Sequence, residues 1–600
     1  METDTQNLTL SEEERGLVRS AIATALLLLV PLATWSAEAP VTTGEDACTE
    51  YLMDLLVNDS CNESARALCW DWIQQETTKK AALGTSTPAS GSGAATATGN
   101  PLPCHIPASS GSSTAMATGM EGPYHIAASN LPLALGNQFE ASIAVDPSPG
   151  NGNRMFVLGM TEPFANGLLA ATSADGTSWI PSLIATAGDC PTGTLPAGRA
   201  DPWAVFSEQG KLFISYIAQV GSGAVIAMSS DGGETFTCLE ELFDVTTGLA
   251  ADREMMAVGI SVHPGAAGSL WVVYSGRSEP RTVVVRGAAL DANGDPILGF
   301  CGTDTGYFCT TQVVATATQS NFVFPGGIAV GPSGEVAVSF LQNPGFFAEP
   351  VELFVAIDGD GLGPGTFTSP ALPAITTQFN LPQPPNFPTV PIRPAGPLGN
   401  LAWDRLNDRL YLVTTSEDPV VTFETDIVLI RSDDPDHQVW GSPVQVNDPP
   451  SPPGVRSEFF PHIAVDQATG NVAVAWHDAR NSPSNTETEA FIGISSDGGG
   501  TFANVTVSSG FSRADGDPDT SYGDYLGLDF RGRVPWMAWA DNSDATMDNP
   551  DPDCFPGDPS LDIPCFDIYV PEPASSAQFV AGLIAVAGLR RHRSKRLKAN

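Results

Sequence analysis

An all-β fold, in which similar antiparallel sheets ring a common axis, is predicted by three observations. One hairpin phrase is written seven times between residues 140 and 541. The copies are spaced roughly 60 to 70 residues apart, inside or slightly above the range for repeated blades with added loops. The composition, with 59 Gly and 50 Pro, suits a chain of many strands and turns. The copies are EASIAVDPSPGNGNRMFVLGM at Glu140, DPWAVFSEQGKLFISYIAQ at Asp201, ISVHPGAAGSLWVVYSG at Ile260, GGIAVGPSGEVAVSFLQ at Gly326, GNLAWDRLNDRLYLVTTS at Gly399, PHIAVDQATGNVAVAWHD at Pro461 and YLGLDFRGRVPWMAWAD at Tyr525. Each is a strand, a turn rich in Gly, Asp or Asn, and a second strand. A single hairpin cannot bury its own apolar face, and stacking around a ring solves that while protecting the sheet edges. The expectation is a β-propeller of four-stranded antiparallel blades, seven by hairpin count, with six as the alternative if one hairpin is shared or decorative.

Of the 600 residues, 42% are hydrophobic and 16% charged, enough apolar content for a sizeable core. The formal net charge of -41 disfavours nucleic acid as a partner, because an acidic surface repels a polyanion. Secretion, cation binding and simple solubility remain open on this ground. The ten cysteines form no CxxC pair, which argues against a zinc ribbon and for disulfides made outside the cytoplasm. Their pairing cannot be read from spacing.

Both ends read as addresses. Arg15 and Arg19 precede an apolar run from Ala21 to Leu32, and small residues follow at Ala37 and Ala39, the layout of a secretory signal or a short membrane anchor. At the other end Val570-Pro571-Glu572-Pro573 is followed by an apolar stretch from Phe579 to Leu589 and then by RRHRSKR at 590–596. Proline ends the strand, the apolar run enters a bilayer and the cations stay on the cytoplasmic side. This order resembles the PEP-CTERM sorting signal of Gram-negative bacteria. The resemblance implies an exosortase-type processing partner, transient membrane contact through the tail, and export to the cell surface or extracellular matrix. An ordinary tail anchor is the alternative.

The expected division is a signal or anchor over 1–39, a short helical Cys-containing segment over 40–80, and a Ser/Thr/Ala/Gly-rich linker over 81–123 that cannot bury enough apolar surface to fold alone. The propeller follows over 124–570 and the hydrophobic sorting tail over 571–600.

A second phrase follows the hairpins. Two turns read Ser229-x-Asp231-x-Gly233-x-Thr235-Phe236 and Ser495-x-Asp497-x-Gly499-x-Thr501-Phe502. A shorter version carries Ser173, Asp175 and Trp179, and degraded ones run from Ser432 to Trp440 and up to Phe367. The Asp accepts backbone hydrogen bonds across the turn, the Gly takes positive φ, and the aromatic packs beneath. These turns resemble the Asp-box (BNR) repeats of sialidases and related propellers. The resemblance spans some 400 residues and is specific for fold, since such turns also occur in propellers without catalysis.

In a four-stranded blade this turn lies between the third and fourth strands, so the loops entering the first strand, and joining the second to the third, lie on the opposite face. Polar residues concentrate there: Glu140; Arg199 and Asp201; Asp252, Arg253 and Glu254; Arg277 and Arg281; Arg456 and Glu458; His477, Asp478 and Arg480; and Tyr522, Asp524 and Tyr525. Guanidinium groups fork onto carboxylates, so several converging on one cavity would suit an acidic sugar. Alternatively, each Arg braces its own loop through a neighbouring carboxylate.

Sialidases use three arginines, a Tyr nucleophile assisted by Glu, and an Asp acid/base. The resemblance offers Tyr522, Tyr525, Glu458 and Asp524 as catalytic candidates by position alone. The Phe/Tyr-Arg-Ile-Pro phrase that carries the first sialidase arginine is replaced here by Asn137-Gln138-Phe139-Glu140. The fold therefore transfers and the activity does not. The leading expectation is glycan or exopolysaccharide binding; an exo-glycosidase acting on acidic sugars and a protein-interaction module are the alternatives. No cofactor is required. Calcium is an option at Asp291-x-Asn293-x-Asp295, although Gly302 stands where an EF-hand needs Glu, and in the acidic loop 541–562. His477 has no second histidine at metal-ligand spacing and reads as a loop residue.

Overall fold

Six sheets each carry four antiparallel strands hydrogen-bonded in chain order, and a further sheet carries three. The computed structural model describes residues 138–569, apart from connecting segments of which the longest are 149–153, 162–166, 244–250, 344–350, 378–395, 450–454, 513–521 and 542–564. All described residues belong to one compact unit, Met116–Gly582. The N-terminal signal, helical and linker segments, the acidic loop and the C-terminal tail lie outside them, as do Asp175 and Arg277.

Blades 1 to 6 begin with inner strands at Gln138–Val145, Gly198–Phe206, Ala251–Ile260, Phe322–Val330, Asn400–Asp404 and Glu458–Val465. Each inner strand packs against that of the next blade. The three-stranded sheet, starting at Gly527–Arg531, lies between blade 6 and blade 1 and completes the circle. The molecule is thus an all-β propeller with almost no helix among the described residues. Seven four-stranded blades were expected; the structure has six, and the hairpin at Tyr525 forms part of the three-stranded sheet instead.

Burial follows position in the blade. The second strands Leu212–Ala218 and Gly268–Gly276 are buried at every residue. Neighbouring blades cover both of their faces, so the sequence runs apolar without alternating. Outer strands such as Trp179–Ile184 and Gln312–Thr316 are half-exposed and mixed in character. The largest buried side chains, Trp271, Trp476 and Trp539, all sit on second strands.

The Ser/Asp/Gly turns join third to fourth strands, as expected. Ser229 Oγ donates to Asp231 at 2.6 Å and accepts from the Gly233 N–H at 2.8 Å. Asp231 in turn accepts from the Thr235 N–H at 2.9 Å. The Ser495–Thr501 turn repeats these bonds at 2.8, 2.9 and 2.9 Å. The turns also lock onto the preceding blade. Phe236 meets Phe156 edge-on at 5.7 Å, and a Cβ at Gly233, whose φ is +106°, would lie 2.4 Å from that ring. Phe502 packs into the core shared by blades 5 and 6. Ser173 is buried, and Trp179 opens the fourth strand of blade 1.

Two disulfides occur among the described residues. Cys190–Cys238 ties the chain entering blade 2 to its fourth strand, and Cys301–Cys309 closes a loop in blade 3. At the calcium-loop candidate, Asp291 accepts the N–H groups of Asn293 and Asp295 at 2.8 and 2.9 Å, and Lys211 pairs with Asp295 at 2.7 Å. Among the described residues no group of three or more His, Cys, Asp or Glu side chains is placed to hold a metal ion.

Candidate functional site

Four inner strands share an irregularity at their start. Glu140, Asp201, Arg253 and Phe460 have φ of 57°, 52°, 53° and 54°. At each, the pairing with the second strand slips. These are β-bulges with a non-glycine residue in the left-handed region, a conformation that costs of order 1–3 kcal/mol per residue. The extra residue re-aims the following side chains, here at the mouth of the channel. In blade 4 the slip falls between Pro325 and Gly327. Gly523 lets the last sheet close in, since a Cβ there would lie 2.3 Å from Glu140 Cγ.

The bulges bring Glu140, Asp201, Arg253 and Glu254 together with Asp524 and Tyr525. The Arg253 N–H donates to Asp201 at 2.6 Å. The Arg253 guanidinium is buried, 5.9 Å from the Tyr525 ring centre and 6.0 Å from that of Phe324. The Tyr525 hydroxyl donates to the Pro202 carbonyl at 2.9 Å. Trp203 meets the Tyr525 ring edge-on at 5.5 Å and stacks on His462 at 5.3 Å, while its indole N–H donates to the Met256 carbonyl at 3.1 Å. A small cavity of about 10 Å³, room for about one water, opens here, lined by Trp203, Arg253, Asn400, His462, Asp524 and Tyr525. Further along the inner strands lies a wider channel of about 640 Å³.

The charges are unevenly satisfied. Among the described residues, neither Nε nor Nη1 of Arg253 has a hydrogen-bond acceptor. Neither carboxyl oxygen of Glu254 has a partner in another residue. Burial lowers the Arg253 pKa against the opposing pull of Asp524, Tyr525, Asp201 and Glu140; a guanidinium stays protonated regardless. Burial first, then Asp201, Asp252 and Glu140, push the Glu254 carboxyl well above the ordinary Glu range. Burial and the carboxylates Glu140, Asp201 and Glu254 likewise push Tyr525 up. His462 is brought down to about 4, chiefly by burial, and is neutral at pH 7.

The other candidates are engaged elsewhere or exposed. Arg199 is exposed. Asp252 pairs with Arg281 at 3.8 Å. Asp478 accepts from the Trp476 indole at 2.6 Å and pairs with Arg480 at 2.6 Å, and the Arg480 guanidinium sits 4.3 Å from the Phe491 ring centre. Arg456 donates to the Arg480 carbonyl at 3.1 Å and to the Val455 carbonyl at 2.6 Å. In blade 6, therefore, the guanidiniums brace loops and do not converge with Arg253. Glu458 is buried beside Asp478 and Arg480, its carboxyl raised by burial first and Asp478 second. Tyr522 accepts a hydrogen bond from Thr488 Oγ1 at 3.2 Å and stacks on His477 at 4.6 Å. His477 is a buried strand residue, not the loop residue expected. Of the candidate Tyr and Glu residues, Tyr525 thus belongs to the Arg253 cluster, whereas Glu458 belongs to blade 6 and Tyr522 packs against it.

Trp203, His462 and Asn400 escaped the sequence reading. Aligning the hairpin starts, Glu140-Ala141-Ser142, Asp201-Pro202-Trp203, Arg253-Glu254-Met255 and Phe460-Pro461-His462, puts the bulge residue first in each. That offset could have marked the residues that follow as channel-facing.

No protein-family model matches the chain, and no curated protein matches it. Solved structures resemble it at low identity. A protein of unknown function from Dyadobacter fermentans is 11% identical with a TM-score of 0.36, the match covering 73% of this chain and 96% of that one. The GH93 α-L-arabinofuranosidase of Fusarium graminearum is 10% identical with a TM-score of 0.37, covering 62% and 92%. The six-bladed fucose-binding lectin of Aleuria aurantia is 9% identical with a TM-score of 0.35, covering 62% and 97%.

Proposed function

We propose that the chain binds glycan, as a surface or matrix polysaccharide, at the channel mouth beside Arg253. The observation that carries this reading is the buried Arg253 guanidinium, whose Nε–H and Nη1–H groups lack an acceptor beside an aromatic-lined cavity. A buried donor left unpaired costs about 1–3 kcal/mol, and an oxygen-rich ligand would recover that. Sugar sites commonly combine a few fixed polar groups with an apolar wall, and Trp203 and Tyr525 supply the wall. The sorting tail would deliver the protein to the cell exterior, where such polymers lie.

Titration calorimetry of the intact propeller against polysaccharides and oligosaccharides tests this. Binding should be lost in Arg253→Met and weakened at least about tenfold in Arg253→Lys, which keeps the charge but loses the fork. Arg456→Gln should bind normally. Binding unchanged in both Arg253 variants, with their folds intact by circular dichroism, would remove the reading.

Glu254 favours a second reading, glycoside hydrolysis. A carboxyl raised by burial beside the carboxylates Asp201 and Glu140 is the environment of a proton donor at neutral pH. Release of a reporter from aryl glycosides, abolished in Glu254→Gln while binding persists, would support it. Binding without turnover on any glycoside would leave the lectin-like reading alone.

A further inference from the structure

We propose that a separate saccharide site lies in the cleft between blades 5 and 6, on the face opposite the channel mouth, and that it takes one neutral hexose unit. It does not involve Arg253 and does not rest on the reading of the channel mouth. Its origin is a turn that has lost its staple. In the two intact turns the serine hydroxyl donates to the aspartate and accepts from a glycine N–H, while the aspartate holds the threonine N–H. In blade 5 the corresponding Ser432 Oγ is buried with no partner among the described residues. Asp434 accepts from the Gln438 N–H at 3.2 Å and is otherwise released from the turn. The chain instead runs on past Trp440 before the fourth strand begins at Val444.

That detour walls a pocket of about 490 Å³ against the Gly499–Gly500 turn of blade 6, inside the range of roughly 300–1,000 Å³ for small-molecule sites. Trp440 lines the pocket and is half-buried, packing against a core cluster that includes Trp403 and Ile430. A ring anchored in this way loses little freedom when a ligand arrives. Leu429 and Val439 extend the apolar wall, and Val439 is 66% exposed at the surface. The polar side is built from Arg431, Asp433 and Asp434. Arg431 has five N–H donors; it gives one to Asp433 at 3.0 Å and one to the Gly498 carbonyl at 2.5 Å. Asp433 is shared with Arg409 at 2.9 Å. Two guanidiniums thus balance two carboxylates, and neither an anionic nor a cationic ligand gains from the site. A hexopyranose has a face of C–H groups to lay on an aromatic ring, and hydroxyls that both accept and donate. Trp440 matches the first; Arg431 and Asp434 match the second.

The experiment is ligand-detected NMR on the full chain with methyl glucoside, mannoside and galactoside, the corresponding uronates, and glucosamine. A single sugar unit should bind with a Kd on the order of 1 mM. Trp440→Ala should weaken the preferred neutral hexoside at least about tenfold, and Asp434→Ala at least about threefold. Asp434→Ala touches no core residue and decides the matter if Trp440→Ala fails to fold. Full affinity in the folded variants, or no neutral hexoside bound at about 20 mM, would overturn the site. Uronates or glucosamine binding more tightly than every neutral hexoside would overturn its preference. Repeating the titration in Arg253→Met separates the two sites: binding that depends on Arg253 and not on Trp440 or Asp434 would leave the channel mouth standing and remove this pocket. The opposite pattern would do the reverse.

Discussion

The main-chain N–H of Arg253 donates to the Asp201 carboxylate at 2.6 Å, joining the inner strands of blades 2 and 3 at the channel mouth. Both residues sit in the left-handed region, at φ of 53° and 52°. The bond spans two neighbouring bulges, so each blade helps hold the other's strained residue. The arrangement places a carboxylate beside the buried guanidinium without using the guanidinium N–H groups that face the cavity.

The first prediction concerns that bond. Asp201→Ala removes the acceptor and leaves the Arg253 N–H buried and unpaired, which should lower unfolding stability by about 1–3 kcal/mol. Asp201→Asn keeps an acceptor oxygen, and Asn tolerates the left-handed region, so its loss should be less than half as large. Urea denaturation of the two variants checks this. Equal losses would mean the side-chain bond is not what holds the bulge.

The sequence made the repeat legible because hairpin turns and apolar second strands are local patterns. The Ser/Asp/Gly turns could be read from spacing for the same reason. The site was legible only in part. The sequence groups Asp201, Arg253, Glu254, Asp524 and Tyr525 on one face, yet their convergence depends on bulges that local sequence barely marks. Arg456 and Arg480 looked equivalent to Arg253. Their capture by the Val455 carbonyl and by Asp478 depends on which carbonyls and carboxylates the folded blade brings within reach. The last sheet lacked any signal of its strand count, because its hairpin at Tyr525 reads like the others.

The two disulfides should differ in weight. Cys190 and Cys238 are 48 residues apart, Cys301 and Cys309 only 8. If the cross-link acts mainly by restricting the unfolded chain, the longer loop gives about 4 kcal/mol and the shorter about 2.5 kcal/mol. Paired Cys→Ser variants followed by guanidinium denaturation should rank in that order. The reverse order would show that native-state packing, not chain entropy, dominates.

The turns between third and fourth strands make a third test. Ser229→Ala leaves the buried Gly233 N–H without its 2.8 Å acceptor, an expected loss of about 1–3 kcal/mol. Gly233→Ala should cost more. It puts a side chain at φ of +106° and drives a Cβ to 2.4 Å from Phe156 of the preceding blade. Both effects should appear as a lower Tm with unchanged ligand affinity, because these turns lie on the face opposite the cavity. A loss of affinity as large as that of Arg253→Met would contradict this placement.

The last prediction is a pH dependence. Asp529, on the inner strand of the three-stranded sheet, accepts the N–H groups of Val145 at 2.8 Å and Phe530 at 2.7 Å. Burial nevertheless outweighs those bonds and raises its pKa from 3.8 to about 6. The folded state therefore holds this proton more tightly than the unfolded state does. Its stabilising contribution is complete below about pH 4 and is lost as pH rises through about 6. Glu254 and Glu458 act in the same direction, since burial raises both. Asp231, lowered to about 2 by its turn hydrogen bonds against the desolvation of burial, acts oppositely but only below its ordinary value. Between about pH 4 and pH 6, then, these carboxyls make stability fall as pH rises, while His462 and His477, lowered by burial to about 4 and about 3, make it rise. In Asp529→Asn, which keeps an acceptor oxygen for Val145 and cannot ionise, that fall should be shallower. Chemical denaturation at several pH values across this window measures the slope. An identical slope in the variant would mean that Asp529 ionises in the folded protein at its ordinary pKa, and that the bonds from Val145 and Phe530 offset its burial in full.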